Sequence, residues 1–149
     1  MGVPDLVAGE AATTRGRFSA VQNTFNLLDQ EARNSVLPWS RSHGLGFVPS
    51  RPLAQGLLTG KYREGEPLPP GSRLQSRPEE ATPARLARVE HLWAHAAAHG
   101  RTLLELAIGA LVPEDGVSSV IAGAMTVEQV RANAEAGANA LSADELAGL

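Results

Sequence analysis

The sequence predicts an α/β fold in which parallel strands are covered by helices. Two observations carry this. Short apolar strand-like segments alternate with helical patterns along the chain, and most of the helical patterns have recognisable start and stop residues. The length of 149 residues fits one domain, 1–149, that can bury a real core.

The elements follow in order. Met1–Val3 is the faintest strand, and a weak helix follows over residues 6–14. Phe18–Val21 is a short strand that extends toward Thr24. Asp29 is placed to cap a helix over 30–42, with Gly44 past its end. Leu45–Val48 is the next strand. Residues 63–81 hold four prolines, two glycines and few hydrophobes, which predicts a long surface loop. Thr82-Pro83 starts the strongest helix, threonine as N-cap and proline as first helical residue. Leu86, Val89, Leu92, Trp93 and Ala96 give it an apolar face, and Gly100 ends it. Thr102–Glu105 is a capping box for another helix, which Pro113 stops. Val117–Ala122 reads as an apolar strand. Thr126–Gln129 opens a helix to about Ala136, and Ser142–Glu145 opens a last short one.

Composition narrows the function. Hydrophobic residues make up 43% and charged residues 19%, an ordinary globular balance. The net charge of −3 gives no electrostatic reason to bind nucleic acid or an anionic membrane. The absence of cysteine excludes disulfides, zinc–thiolate sites and thiol catalysis. No run is long enough for a membrane span, and residues 1–10 lack the basic and apolar regions of a signal peptide, so a cytoplasmic protein is expected.

In such folds ligands bind where strands end and helices begin. Two such ends are conspicuous. Residues 50–62, SRPLAQGLLTGKY, end in Thr59-Gly60-Lys61, which comes near a nucleotide-binding P-loop. The match fails at both ends, because Gln55 stands for the first glycine and Tyr62 for the magnesium-binding Ser or Thr. Gly56 and Gly60 still let a ligand approach the backbone, and Lys61 supplies charge. At the second end, Gly123 precedes a helix start near Thr126, a natural anion site. Gln129 and Asn133 are four residues apart and share one face of that helix. The alternative for both is bland: a connecting loop, and a solvated polar face. His91, His95 and His99 recur at helical spacing without a metal-site glutamate between a pair, so they read as a polar stripe, and no metal site is expected. No Ser-His-Asp signature is present.

Several stretches together resemble the aldo-keto reductase family. Val21-Gln-Asn-Thr-Phe-Asn-Leu-Leu-Asp29 is similar to its motif "vQneYnLLdr". Gly44-Leu-Gly-Phe-Val-Pro and Pro52–Tyr62 resemble its seventh strand and the loop after it, and Gly71-Ser72-Arg73 matches the "G-S-R" of its longer-loop members. Ser119–Gly123 with Gln129 and Asn133 resembles the eighth-strand cofactor motif, and Gly2-Val3-Pro4-Asp5 a fifth-strand variant. The resemblance covers nearly the whole chain. It implies the C-terminal half, about strands 5–8, of a (β/α)8 TIM barrel with outer helices and a long cofactor loop over about 50–81.

The resemblance also implies roles. Gln22 would hydrogen-bond the nicotinamide carboxamide, with Asp5 near it. Ser50 stands where the family usually stacks an aromatic ring, and serine cannot stack. Arg51 stands where a serine or aromatic residue is common, and would either bridge to phosphate or reach solvent. Pro52, Leu53, Gly56 and Leu58 belong to the loop along the pyrophosphate, with backbone amides of Leu53, Gly56 and Leu58 facing it. Lys61 and Arg73 would neutralise phosphate charge. Gly123, Ala124, Met125 and Thr126 would line the 2′-phosphate end, and Gln129 and Asn133 would hold the adenosine. The expected cofactor is NADP(H). Met125 replaces a common cation, which leaves NAD(H) open.

None of the motifs for the family's catalytic aspartate, tyrosine, lysine and histidine is present, so Tyr62, Lys61 and the histidines are not assigned to them. The expectation is an NAD(P)H-dependent carbonyl oxidoreductase, truncated, that is inactive as an isolated chain. A small carbonyl substrate would enter only if the barrel were completed. The alternative is a non-catalytic nucleotide-binding or assembly half, completed by a second copy or an N-terminal half.

Overall fold

The computed structural model describes residues 18–149 apart from Glu64, Pro69 and Gly148. The expected strand Met1–Val3, the helix over 6–14 and the site residue Asp5 lie outside the described residues.

Two strands, β1 (Ala20–Thr24) and β2 (Gly46–Ser50), pair in parallel, in register from Ala20↔Gly46 to Thr24↔Ser50. Both lie one or two residues later than the apolar runs suggest. The connection between them carries a 3-10 turn, Glu31–Asn34, and helix α1, Val36–Ser42. The sequence predicts one continuous helix over 30–42; the structure breaks it at Ser35. Pro38 is the reason. A proline ring clashes with the carbonyl four residues back, here that of Asn34, and lacks the N–H that would bond it. Asp29 is not the cap. Gln30 occupies that place without a side-chain capping bond, and the Asp29 carboxylate binds Asn26 and Arg85 instead.

The expected strand Val117–Ala122 shortens to one parallel bridge, Phe47↔Val117. Phe47 N–H donates to Gly116 O at 3.1 Å, and Ser118 N–H donates to Phe47 O at 2.9 Å. Even-numbered residues of β2 face β1, since Gly46 N–H donates to Ser19 O. The odd-numbered ones therefore face residues 117–120. The next donor on that side would be residue 49, which is proline and has no N–H to give.

The expected loop over 63–81 is not structureless. It contains 3-10 turns at Arg73–Gln75 and Pro78–Glu80, and Leu74 is fully buried. Arg63 anchors its start: the guanidinium lies 3.9 Å from the Trp93 ring centroid and 3.3 Å from Glu90. Helix α2 runs Pro83–Ala98, and the Thr82 hydroxyl accepts from the Arg85 amide, as its sequence signals predict. Val89, Leu92 and Ala96 are buried on its apolar face, whereas Trp93 is exposed beneath Arg63.

Helix α3, Leu103–Gly109, opens on the predicted capping box. It buries nearly every side, including Leu103, Leu106, Ala107 and Ile108, which makes it the central helix of the core. Helices α4 (Val127–Ala138) and α5 (Ala143–Leu146) complete the described fold.

The core has two parts. Phe25, Ala32, Val36, Leu37, Phe47 and Leu111 fill the space between the sheet and α1. Leu57, Leu58, Tyr62, Leu74, Leu92 and Leu106 join the loop after β2 to α2 and α3. Val21 and Phe47 point into the first of these cores. The opposite sheet face is less covered: Ala20 and Gln22 are exposed, and Val48 and Ser50 half-buried.

Candidate functional site

The chain leaves β2 in an unusual backbone path. Arg51, Ala54 and Gln55 all have left-handed φ, at 55°, 45° and 58°. Each such residue without glycine's freedom costs on the order of 1–3 kcal/mol, and such strain concentrates at functional sites. Buried contacts hold the path in place. Asn26 is fully buried and its Nδ2 donates to Arg51 O at 3.0 Å and to Asp29 Oδ2 at 3.0 Å. Its Oδ1 accepts the amides of Leu28 and Asp29 at 2.8 and 2.9 Å. From below, Ala54, Leu57 and Leu58 anchor the turn in the core.

Gly56 has φ 99° and faces Lys61. A Cβ there would sit in ordinary contact with Lys61, 3.4 Å from Cε and 3.5 Å from Nζ, so it is the positive φ and not lack of space that favours glycine. Lys61 Nζ rests 5.0 Å from the Tyr62 ring centroid. The amides of Gly56 and Leu58 both donate to Leu53 O, at 2.8 and 3.3 Å, so they are engaged within the turn and not aimed outward.

A cleft of about 610 Å³ lies along this loop. The loop side contributes Arg51, Pro52, Leu53, Gly56 and Lys61, and Arg73 comes from the 3-10 turn after residue 72. The far side is Gly123, Ala124, Met125, Gln129 and Asn133, at the N-terminal end of α4. The two stretches singled out in the sequence, residues 50–62 and 123–133, therefore line one cleft. Among the described residues its cationic lining is Arg51, Lys61 and Arg73, and no acidic side chain lines it. Among the described residues Lys61 and Arg73 join no ion pair, while Arg51 pairs with Glu80 at 3.3 Å.

The α4 end is open. Thr126 caps the helix by accepting the Gln129 amide, and Gln129 Oε1 accepts the Met125 amide at 2.7 Å. This fixes the Gln129 side chain at the mouth, while Asn133 is half-buried one turn on. Met125 is 90% exposed, and nothing lies within 4 Å of a Cβ built on Gly123. Thr126 itself is exposed and does not line the cleft.

Three other expected residues lie apart from the lining. Gln22 is exposed on the less covered sheet face. Ser50 is on the same face at the end of β2, and its carbonyl accepts from the Phe25 amide. The Leu58 side chain is fully buried. The histidine stripe is uneven: His91 and His99 are exposed, and His95 is half-buried with Nε2 2.8 Å from Glu145 O. Among the described residues no group of three or more His, Asp or Glu could hold a metal ion.

Sequence reading alone misses Asn26, Asp29, Glu80 and Arg85. They form one polar network behind the loop. Arg85 donates to both Asp29 oxygens, at 2.6 and 3.1 Å, and lies 3.7 Å from Glu80, which pairs with Arg51. The Arg85 bond holds the Asp29 carboxyl below its ordinary range, against the opposing effect of burial. Asn and Asp within "NLLD" were the only local signal, and their partner lies 56 residues away.

Chemically, the cleft presents three cations, a helix N-terminus and two side-chain amides in a row. That suits an elongated polyanion carrying a hydrogen-bonding base at one end.

A model of the aldo/keto reductase family matches residues 8–149. An L-glyceraldehyde 3-phosphate reductase of Escherichia coli (strain K12) is 34% identical over 124 residues, covering 77% of this chain and 35% of that protein. An NADH-specific methylglyoxal reductase of the same strain is 28% identical, covering 81% of this chain and 37% of that protein. An aldo-keto reductase from Bacillus halodurans, in its apo form, superposes with a TM-score of 0.67 at 26% identity. It covers 93% of this chain and 44% of its own. The chain thus spans well under half the length of these relatives.

Proposed function

This chain belongs to the aldo/keto reductase family, and on that premise we propose that it carries the nicotinamide dinucleotide-binding part of a carbonyl oxidoreductase. The observation that carries this is the cleft itself: Arg51, Lys61 and Arg73 on one side, the N-terminus of α4 with Gln129 and Asn133 on the other, and no acid between among the described residues. Lys61 and Arg73 neutralise the phosphates, and Gln129 and Asn133 hold the adenine nucleotide. Gln22 and Ser50 lie on the sheet face where the nicotinamide end would rest, as they would at the C-terminal ends of barrel strands. We read the chain as roughly strands five to eight of the (β/α)8 barrel. When bound, the dinucleotide supplies hydride to a carbonyl carbon.

The cleft residues bind and orient; among the described residues none that lines the cleft is a general acid to deliver the proton that the carbonyl oxygen must receive. Tyr62 is 3% exposed inside the core and does not line the cleft. Without a positioned general acid the reaction loses a factor on the order of 10²–10⁴. The chain by itself therefore binds NADPH or NADH but does not reduce an aromatic aldehyde. Fluorescence titration with each nucleotide tests the first half, and absence of binding by both would refute it. Following NADPH absorbance with the aldehyde tests the second, and robust turnover would refute that.

The outer edge of β1, which pairs with no other strand among the described residues, favours a second reading, in which the segment is an assembly half that closes its sheet with another segment or a second copy. Sedimentation of the purified chain separates the two: a monomer at all concentrations argues against it.

A further inference from the structure

Asp115-Gly116 is the one place in the sequence where an aspartate or asparagine precedes glycine. Glycine has no side chain to hinder attack by its own amide on the preceding residue's side chain. The pair forms the middle of a turn, Glu114–Val117, in which Val117 N–H donates to Glu114 O at 3.0 Å. Gly116 has φ 98°, a conformation that L side chains rarely adopt. Its carbonyl accepts Phe47 N–H, one bond of the bridge to β2, while its own amide makes no hydrogen bond among the described residues. The Asp115 side chain is 76% accessible, so water reaches it. Its carboxylate nevertheless has a partner. Arg41, in the last turn of α1, places Nη2 2.8 Å from Oδ2. The Arg41 stem lies over Gly116: a Cβ built there would fall 2.8 Å from Arg41 Cγ and 2.9 Å from Cδ.

We propose that Asp115-Gly116 is a site of aspartate isomerisation and that Arg41 guards it. The Gly116 amide nitrogen attacks Asp115 Cγ and a C–N bond forms. The hydroxyl of the neutral carboxyl leaves with the amide proton as water, and a cyclic succinimide remains. Water then opens the ring. Addition at Cγ restores aspartate. Addition at the Asp115 main-chain carbonyl carbon routes the chain through the side chain, as isoaspartate, and the freed α-carboxylate is the group that isoaspartyl O-methyltransferases take. Arg41 opposes the first step in two ways: its guanidinium holds Oδ2 away from the amide, and its stem covers the glycine. Both partners of the ion pair are largely exposed, so its share of the guard is a few-fold in rate and weakens with salt. The product lengthens the main chain by a methylene and displaces Gly116 O from Phe47. That loosens the segment from Val117 to Gly123, which leads into one wall of the cleft. The proposal does not depend on what the cleft binds.

The test ages the purified full chain at neutral pH and follows it by peptide mapping with mass spectrometry, with an isoaspartyl methyltransferase and labelled S-adenosylmethionine as a second readout. Wild-type chain accumulates an isomer at residue 115 with altered retention and unchanged mass. Deamidation at the exposed Asn34, which precedes Ser35, changes the mass and is read separately. Arg41→Gln keeps Cγ and Cδ over Gly116 and removes the charge; it isomerises about threefold faster, the scale of such a pair, and Arg41→Lys restores the slower rate. Ageing wild-type chain in high salt gives the same acceleration without any variant, because salt screens the pair. Asp115→Glu, whose longer side chain would have to close a larger ring, forms no isomer at this position. Aged wild-type chain exchanges the amide hydrogens of Phe47 and Ser118 faster than fresh chain, whereas aged D115E does not. Absence of isoaspartate at 115 in wild-type chain overturns the proposal. Equal rates in wild type, R41Q and high salt overturn the guard, and an isomer with unchanged exchange at Phe47 and Ser118 overturns its link to the cleft wall.

Discussion

Asn26 uses every hydrogen-bonding group of its side chain. It satisfies two amides and two acceptors while fully buried. Replacing it with alanine leaves the Leu28 and Asp29 amides without partners and leaves the Arg51 carbonyl only the bond from the Ala54 amide. Each buried group left unpaired costs about 1–3 kcal/mol, so Asn26→Ala lowers unfolding free energy by a few kcal/mol, measurable by urea denaturation. The effect also reaches the site, because the same bond holds the strained start of the loop. Lys61 and Arg73 are different in kind: they are exposed and join no ion pair among the described residues. Lys61→Ala or Arg73→Ala leaves the urea midpoint unchanged and weakens NADPH binding about tenfold, in proportion to a charge-assisted contact of roughly 1.4 kcal/mol. Equal loss of stability in those variants would mean that the cations support the fold and not a ligand.

Among the elements, the caps behave as their residues require. Thr102 Oγ1 accepts the Glu105 amide at 3.2 Å, and the Glu105 carboxylate accepts the Thr102 amide at 2.8 Å. Thr102→Ala destabilises by about 1 kcal/mol, a shift of the thermal midpoint that a melting curve resolves; no shift would show that the core alone sets α3. At α4 the pattern differs, since Gln129 reaches past the cap residue to the Met125 amide. That displacement carries a cleft residue to the mouth of the site. Strand-like stretches are less faithful to their sequence. Val117–Ala122 has the right residues, but the proline at 49 removes the donor it would need, and Ile121 remains 64% exposed.

Across the molecule, distant charges join elements that sequence cannot pair. Glu145 on α5 accepts from Arg101 Nε at 2.6 Å, ahead of α3. This bond, with the Ser142 amide and hydroxyl, pulls its pKa from 4.5 down to about 2. Asp29 is lowered too, chiefly by Arg85. A carboxylate depressed in the folded state contributes its stability fully above the ordinary carboxylate range. That contribution disappears as pH falls through the folded value. Thermal stability therefore declines as pH drops from about 4.5 toward 2. In Glu145→Gln the decline over that window is shallower; an identical pH profile would remove Glu145 from the account.

Local chemistry was legible in the sequence: the starts at Thr82, Thr102, Thr126 and Ser142, the apolar face of α2, and the two stretches that line the cleft. These depend on neighbours within one helical turn or one loop, so residue type suffices. The family followed from motifs in order. The rest depended on contacts between distant residues. Only the fold could show that Arg51 meets Glu80, that Asp29 serves Arg85 and not a helix, or that Gly56 and Leu58 turn their amides inward. It also broke the helix at Ser35 and stopped a strand beside Pro49. Sequence determined which segments line the cleft. Tertiary structure decided which of their groups remain free, because a polar group already bonded inside the protein has little left to offer a ligand.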